Sequence, residues 1–150
     1  MLLQWTEDLS IGNKVIDGQH KELYDRVNAF IEAMQQKKGR EEMGGVLDFL
    51  EGYIVEHFGT EEHLMKGMAY SGYAAHKAQH EAFKNTFREI IAKYNEKGPT
   101  LDIIIMTNAK LGQWLRNHIP VADKELAAFA TSRGVAVHPV ARPAGVAAAR

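Results

Sequence analysis

Residues 74–83 read "AAHKAQHEAF". Alanine, lysine, glutamine and glutamate are strong helix formers, and neither glycine nor proline interrupts them. On a helix, His76 and His80 stand one turn apart on the same face. The step of three and four continues through Tyr73, His76, His80, Phe83, Phe87, Ile90 and Tyr94, the pattern of a stripe turned to a core. The spacing predicts a helix over residues 71–97, capped at Ser71 and closed by Gly98-Pro99. Two imidazoles therefore lie inside an apolar face, and the remaining sequence must explain what they meet there.

Three further segments carry the same period. Leu23, Val27, Phe30 and Met34 define a helix over about residues 17–38, with Asp17 as N-cap and Gly39 as its stop. Val46, Phe49, Tyr53, His57 and Glu61 define a second over about residues 41–66, followed by Gly67. Ile104, Thr107, Leu111, Trp114 and His118 define the last, over about residues 101–119. No segment alternates as a strand would, and the connections are short. The expected fold is all-α: an antiparallel up-down-up-down four-helix bundle. An N-terminal arm with Trp5 and Ile11 precedes it, with Trp5 expected over an end of the bundle. "VADKELAAFA" after Pro120 is expected to add one or two helical turns. Residues 1–130 are read as one domain. Residues 131–150, "TSRGVAVHPVARPAGVAAAR", lack an amphipathic period and read as a loosely ordered tail.

The bulk numbers narrow the function. The chain has 150 residues and a formal charge of −1, from 18 basic and 19 acidic side chains. This balance points to neither nucleic acid nor a membrane surface. With no cysteine, disulfides, thiolate zinc sites, iron–sulfur clusters and thiol nucleophiles are excluded. "MLLQWTEDLSIG" lacks the basic and apolar regions of a signal peptide, and no run approaches the length of a membrane helix. A cytoplasmic location is expected.

Each helix points a histidine along its inner stripe. His20 continues the line of Leu23 and Val27; His57 and Glu61 form an i, i+4 pair; His76 and His80 form another; His118 lies on the inner face of the last helix, with Asp123 five residues on. A single buried histidine is ordinarily a satisfied core residue. Five imidazoles and two carboxylates together are too costly to bury without a shared partner, and a metal centre satisfies all seven. His63 lies off its stripe and is expected to face water, and His138 falls in the tail; both are excluded.

Seven donors exceed the four of a zinc site, and "HKAQH" has Lys77 where a zinc-protease helix carries glutamate. Calcium and magnesium prefer oxygen. Imidazole with carboxylate suits iron. If two six-coordinate irons share one solvent-derived oxo or hydroxo bridge and the carboxylates Glu61 and Asp123, six terminal positions remain. Five histidines fill five and leave one open to a small ligand. No glutamate lies three residues before any histidine, unlike the Glu-x-x-His motifs of ferritin-like di-iron proteins. The histidine-rich shell favours reversible electron exchange over oxidation of a substrate. His118 and Asp123, five apart, would stand about 140° from each other on a straight helix; the break at Pro120 is expected to bring Asp123 inward. Trp114, Leu115, Ile119, Leu23, Val27, Phe58 and Phe83 are candidates for a dry wall around the site.

With "WTEDLSIGNKVIDGQHKEL", "HFGTEEHLM", "HKAQHEAF" and "WLRNHIPVADKEL" in view, the chain resembles a hemerythrin of the single-domain bacterial type over about residues 5–130. The resemblance implies a four-helix bundle around two non-haem iron ions, bridged by oxo or hydroxo, that bind O2 reversibly. It implies that His76, His80 and His118 hold the fully coordinated iron, that His20 and His57 hold the iron with the open site, and that Glu61 and Asp123 bridge. The expected role is non-enzymatic: carriage, storage or delivery of O2, to an acceptor protein the sequence does not name. The alternatives are a di-iron enzyme acting on peroxide or nitric oxide, and an oxygen or redox sensor module.

Overall fold

The computed structural model describes residues 2–134, and the described residues are helical with no strand. Four rods make up the bundle. The first is α1, Lys14–Gln35. The second joins α2, Gly39–Tyr53, through a π-helical turn at Ile54–Phe58 to α3, Gly59–Gly67. The third is α4, Tyr73–Lys97. The fourth joins α5, Leu101–Asn117, through a second π-helical turn at Ile119–Asp123 to α6, Lys124–Arg133. α1 packs on α2 and α5, and α4 on α3 and α5. Among the described residues, no helix is long and apolar enough to cross a membrane.

The element ends differ from expectation in three places. α1 starts three residues earlier than Asp17, because the Asn13 side chain accepts from the Val15 and Ile16 amides and so caps it. Asp17 instead accepts from Ser10 Oγ at 2.6 Å and the Ile11 amide at 2.9 Å, which ties the N-terminal arm to the helix. Gly39 begins α2 rather than stopping α1; the reversal falls at Lys37, whose φ is 62°. Gly72 rather than Ser71 precedes α4 as its N-cap. At the other end of α4, Gly98 adopts φ 73°, a conformation that favours glycine, and lets the chain turn into α5.

The arm runs along α1. The Leu3 amide donates to Asn28 Oδ1, and Asn28 Nδ2 donates to the Leu3 carbonyl. Trp5 is half-buried beneath the Lys21 ammonium, 4.2 Å from the ring centre. α6 extends over ten residues, longer than one or two turns, since Leu126, Ala127 and Ala130 give it a buried face. Thr131, Ser132 and Arg133, read as tail, belong to this helix; residues 135–150, including His138, lie outside the described residues.

Two apolar clusters fill the bundle. The larger includes Leu23, Val27, Phe30, Leu47, Tyr53, Phe58, Phe83, Trp114, Leu115 and Ile119. The smaller includes Ile11, Ile16, Leu64, Met65, Met68 and Leu126. On each rod a polar position falls between them: His20 between Ile16 and Leu23, Glu61 between Phe58 and Leu64, His76 and His80 between Tyr73 and Phe83, Asp123 between Ile119 and Leu126; His57 and His118 lie against Phe58 and Trp114 of the larger cluster. The polar residues thus form one layer, sealed above and below by hydrocarbon.

Candidate metal centre

All seven sequence candidates are buried in this layer. Their donor atoms fall into two overlapping groups: His76, His80 and His118 with Glu61 and Asp123, and His20 and His57 with the same two carboxylates. Each carboxylate divides its oxygens between the groups. Glu61 Oε1 lies 3.1 Å from His57 Nε2, while Oε2 lies 3.1 Å from His76 Nε2 and 3.0 Å from His80 Nε2. Asp123 Oδ2 lies 2.9 Å from His20 Nε2, while Oδ1 lies 3.1 Å from His76 Nε2 and 2.8 Å from His118 Nε2. His63 is exposed, as expected.

Local winding sets these positions. An i→i+5 turn holds one residue more than an α-helical turn, so a residue five steps on returns near its starting face. The Asp123 amide points to the His118 carbonyl at 3.4 Å, and the widened turn after His118 brings Asp123 inward, to full burial. The earlier π-helical turn lets the adjacent residues His57 and Phe58 both face the interior.

Aromatic rings fix the imidazoles. Phe58 stacks on His80 at 3.9 Å between centroids, Trp114 on His118 at 3.8 Å, and Tyr53 on His57 at 4.8 Å. All seven wall candidates are buried, and three of them, Phe58, Phe83 and Trp114, pack on one another beside the histidines. Outside Trp114, a groove of about 320 Å³ between α4 and α5 reaches His118 and Gln79.

A second set of contacts sets the tautomers. His57 Nδ1 lies 2.7 Å from Gln19 Oε1, His118 Nδ1 lies 2.7 Å from Gln79 Oε1, and His80 Nδ1 lies 3.1 Å from Glu62 Oε1. Gln19 also reaches Thr60 Oγ1, which donates to the Glu56 carbonyl. These oxygens only accept, so each Nδ1 carries the proton and Nε2 of a neutral ring presents a bare lone pair. Three such lone pairs face carboxylate oxygens at 3.1 Å or less. Nε2 of His80 and His118, Oε1 of Glu61 and both Asp123 oxygens make no aligned hydrogen bond. Lone pair against anion is repulsive unless a cation lies between, so the donor set fits a metal.

Without a metal, protons fill part of that role. Burial lowers the His76 pKa, but contacts with Asp123 and Glu61 overcome it and raise it to about 9. His20 and His80 are also raised, against burial, by Asp123 and by Glu61 with Glu62. His118 is lowered, since burial outweighs Asp123. Burial pushes both carboxylates up, yet the histidines hold Glu61 well below its ordinary range and Asp123 below its own.

Gln19, Gln79 and Glu62 were not singled out from sequence. Gln19 and Gln79 each precede a ligand-type histidine, in "GQHKEL" and "AQHEAF", but each serves a histidine on a different rod. The repeated Gln-His pair was the available signal.

Comparison with known proteins agrees with this geometry. A family model described as the hemerythrin HHE cation binding domain matches residues 12–130, a span holding all seven residues. A bacteriohemerythrin of Stenotrophomonas maltophilia is 36% identical over 126 residues, covering 84% of this chain and 80% of that protein. A bacteriohemerythrin of Methylococcus capsulatus is 34% identical over 125 residues, covering 82% and 92%. A myohemerythrin of Theromyzon tessulatum is 26% identical over 121 residues, covering 80% and 87%. A cation-binding layer between two apolar cores, in a bundle matched along most of its length, places the chain in the hemerythrin family.

Proposed function

We propose that the chain binds O2 reversibly at two non-haem iron ions, and that it carries, stores or delivers O2 rather than turning over a substrate. One observation carries this reading: Glu61 and Asp123 each share their two oxygens between a three-histidine and a two-histidine group. That division suits two ions bridged by carboxylates, with His76, His80 and His118 on one and His20 and His57 on the other. The smaller group, with one histidine fewer, would leave its ion room for a diatomic ligand. Bound iron supplies the electrons that O2 takes up and returns.

The protein's own part is to hold five neutral imidazoles in fixed orientations and to keep water out. The Tyr53, Phe58 and Trp114 rings lie directly on ligand-type imidazoles. A dry, apolar surround slows loss of the bound gas and entry of competing anions. The Tyr53 hydroxyl, whose pKa burial and the nearby carboxylates push well above its ordinary value, stays protonated beside His57.

The test is a reversible cycle. Purified protein is reduced without oxygen, its iron counted, O2 admitted and then removed, with the visible spectrum followed throughout. Two irons per chain and a spectrum that appears and fades over repeated cycles are expected. One iron per chain, or a change that does not reverse, overturns the proposal. Steady consumption of peroxide or nitric oxide under the same conditions would make the protein an enzyme instead.

A further inference from the structure

Glu62 follows Glu61 on α3 but meets the opposite nitrogen of the same ring. Glu61 Oε2 lies 3.0 Å from His80 Nε2, and Glu62 Oε1 lies 3.1 Å from His80 Nδ1. Consecutive glutamates on one helix therefore clasp a single imidazole from another. Phe58 covers the face of that ring at 3.9 Å and 3° from parallel, so it has no freedom to turn. The Glu62 side chain is 16% exposed against 0% for Glu61; it sits at the edge of the layer. Lys84 and Lys77 are near enough to Glu62 to favour its charged form, but Lys84 already pairs with Glu81 at 3.1 Å.

The other outer partners in the layer are neutral. His57 and His118 lean on amide oxygens of Gln19 and Gln79, and Nδ1 of His20 and of His76 has no partner. A carboxylate behind an imidazole fixes the ring and makes its far nitrogen a stronger donor than an amide does. The negative charge also favours whichever metal state is more positive.

We propose that Glu62 is a positioning residue: its carboxylate orients His80 and strengthens the Nε2 donor, so that the three-histidine half of the centre binds metal more tightly and favours the higher oxidation state. The metal-affinity part stands on the donor geometry alone; the oxidation-state part rests on the di-iron reading.

Glu62→Gln keeps an accepting oxygen and removes the charge; Glu62→Ala removes both. Each full-length variant, stripped of metal, is titrated with Co2+ against a competing chelator, following the cobalt visible spectrum, with circular dichroism of the metal-free forms as the folding control. Expected is an order of affinity of wild type, then Gln, then Ala, with the Ala variant weaker by roughly tenfold or more. With iron, the Gln variant should show a raised midpoint potential, about 59 mV for each tenfold change in the one-electron equilibrium. Equal cobalt affinities in all three proteins overturn the proposal. So do equal losses in Gln and Ala that follow equal losses of metal-free stability, which would reduce Glu62 to a packing role. The cobalt order is read without O2, so a wild type that follows it yet fails the reversible cycle would refute the proposed function and leave the role of Glu62 standing.

Discussion

His118 works at both ends of its ring: Nε2 faces Asp123 at 2.8 Å, and Nδ1 meets Gln79 at 2.7 Å. His118→Ala should remove one donor from the three-histidine group and leave Trp114 without its stacking partner. Iron should fall from two per chain towards one, read by metal analysis after loading; an unchanged count would refute the assignment. At this scale the members of the buried polar layer are legible in the sequence, because His20, His57, Glu61, His76, His80 and His118 all fall on apolar stripes, and burying so many polar groups has few explanations. Gln19, Gln79 and Glu62 were not. Each looks like an ordinary surface residue on its own helix and acquires a partner only when a second rod packs beside it.

Asn13 shows the same limit at the ends of elements. Its side chain holds two amides at the start of α1, where the sequence reading places the cap at Asp17, whose carboxylate is instead taken by the arm folding back onto it. Asn13→Ala should cost about 1 kcal/mol and Asn13→Gly only a few tenths, measured by denaturant unfolding. A full-size loss in both variants would point to packing rather than capping. The two π-helical turns differ in legibility for a physical reason. The one at Ile119–Asp123 holds Pro120, whose missing amide announces a disturbed turn. The one at Ile54–Phe58 is built from ordinary helix-compatible residues, and only the need to bury both His57 and Phe58 calls for it. α6 was underestimated because its buried face, Leu126, Ala127 and Ala130, is too short to show a period by itself. Leu126, fully buried in the smaller cluster, is its anchor: Leu126→Ala should destabilise the protein by roughly 2–5 kcal/mol.

Metal and protons compete for the same layer, so the loaded and metal-free molecules should respond to pH in opposite directions. In the metal-free chain, the raised pKa of His76 adds stability that is full below about 6.5 and lost as pH rises through about 9. His20 and His80 act in the same sense and His118 against it. The lowered Glu61 and Asp123 add stability that is present above their ordinary 4.5 and 3.8 and lost only as acid carries the pH down through their folded values. The metal-free protein should therefore melt highest between about pH 4.5 and 6.5 and lower towards pH 9. In the loaded protein the imidazoles must be neutral, so iron should be released as pH falls below the ordinary histidine value. Melting curves of both forms from pH 5 to 9 (about the span in which histidine titrates) test this; parallel slopes would count against imidazole ligation. At free metal one hundredfold above its dissociation constant, loading should add about 2.7 kcal/mol.

The layered interior also bears on how the molecule opens. The polar layer leaves the smaller cluster of Ile11, Ile16, Leu64, Met65 and Leu126 as a satellite core. A metal held by these seven residues, which come from all four rods, would tie the rods at one level and should make the two cores melt as one cooperative unit. Once it is withdrawn, the end built from α3, α6 and the first turn of α1 is free to unzip as a separate foldon. Amide hydrogen exchange in the stripped protein should then show protection collapsing around Leu64 and Leu126 while Leu47 and Phe30 keep theirs.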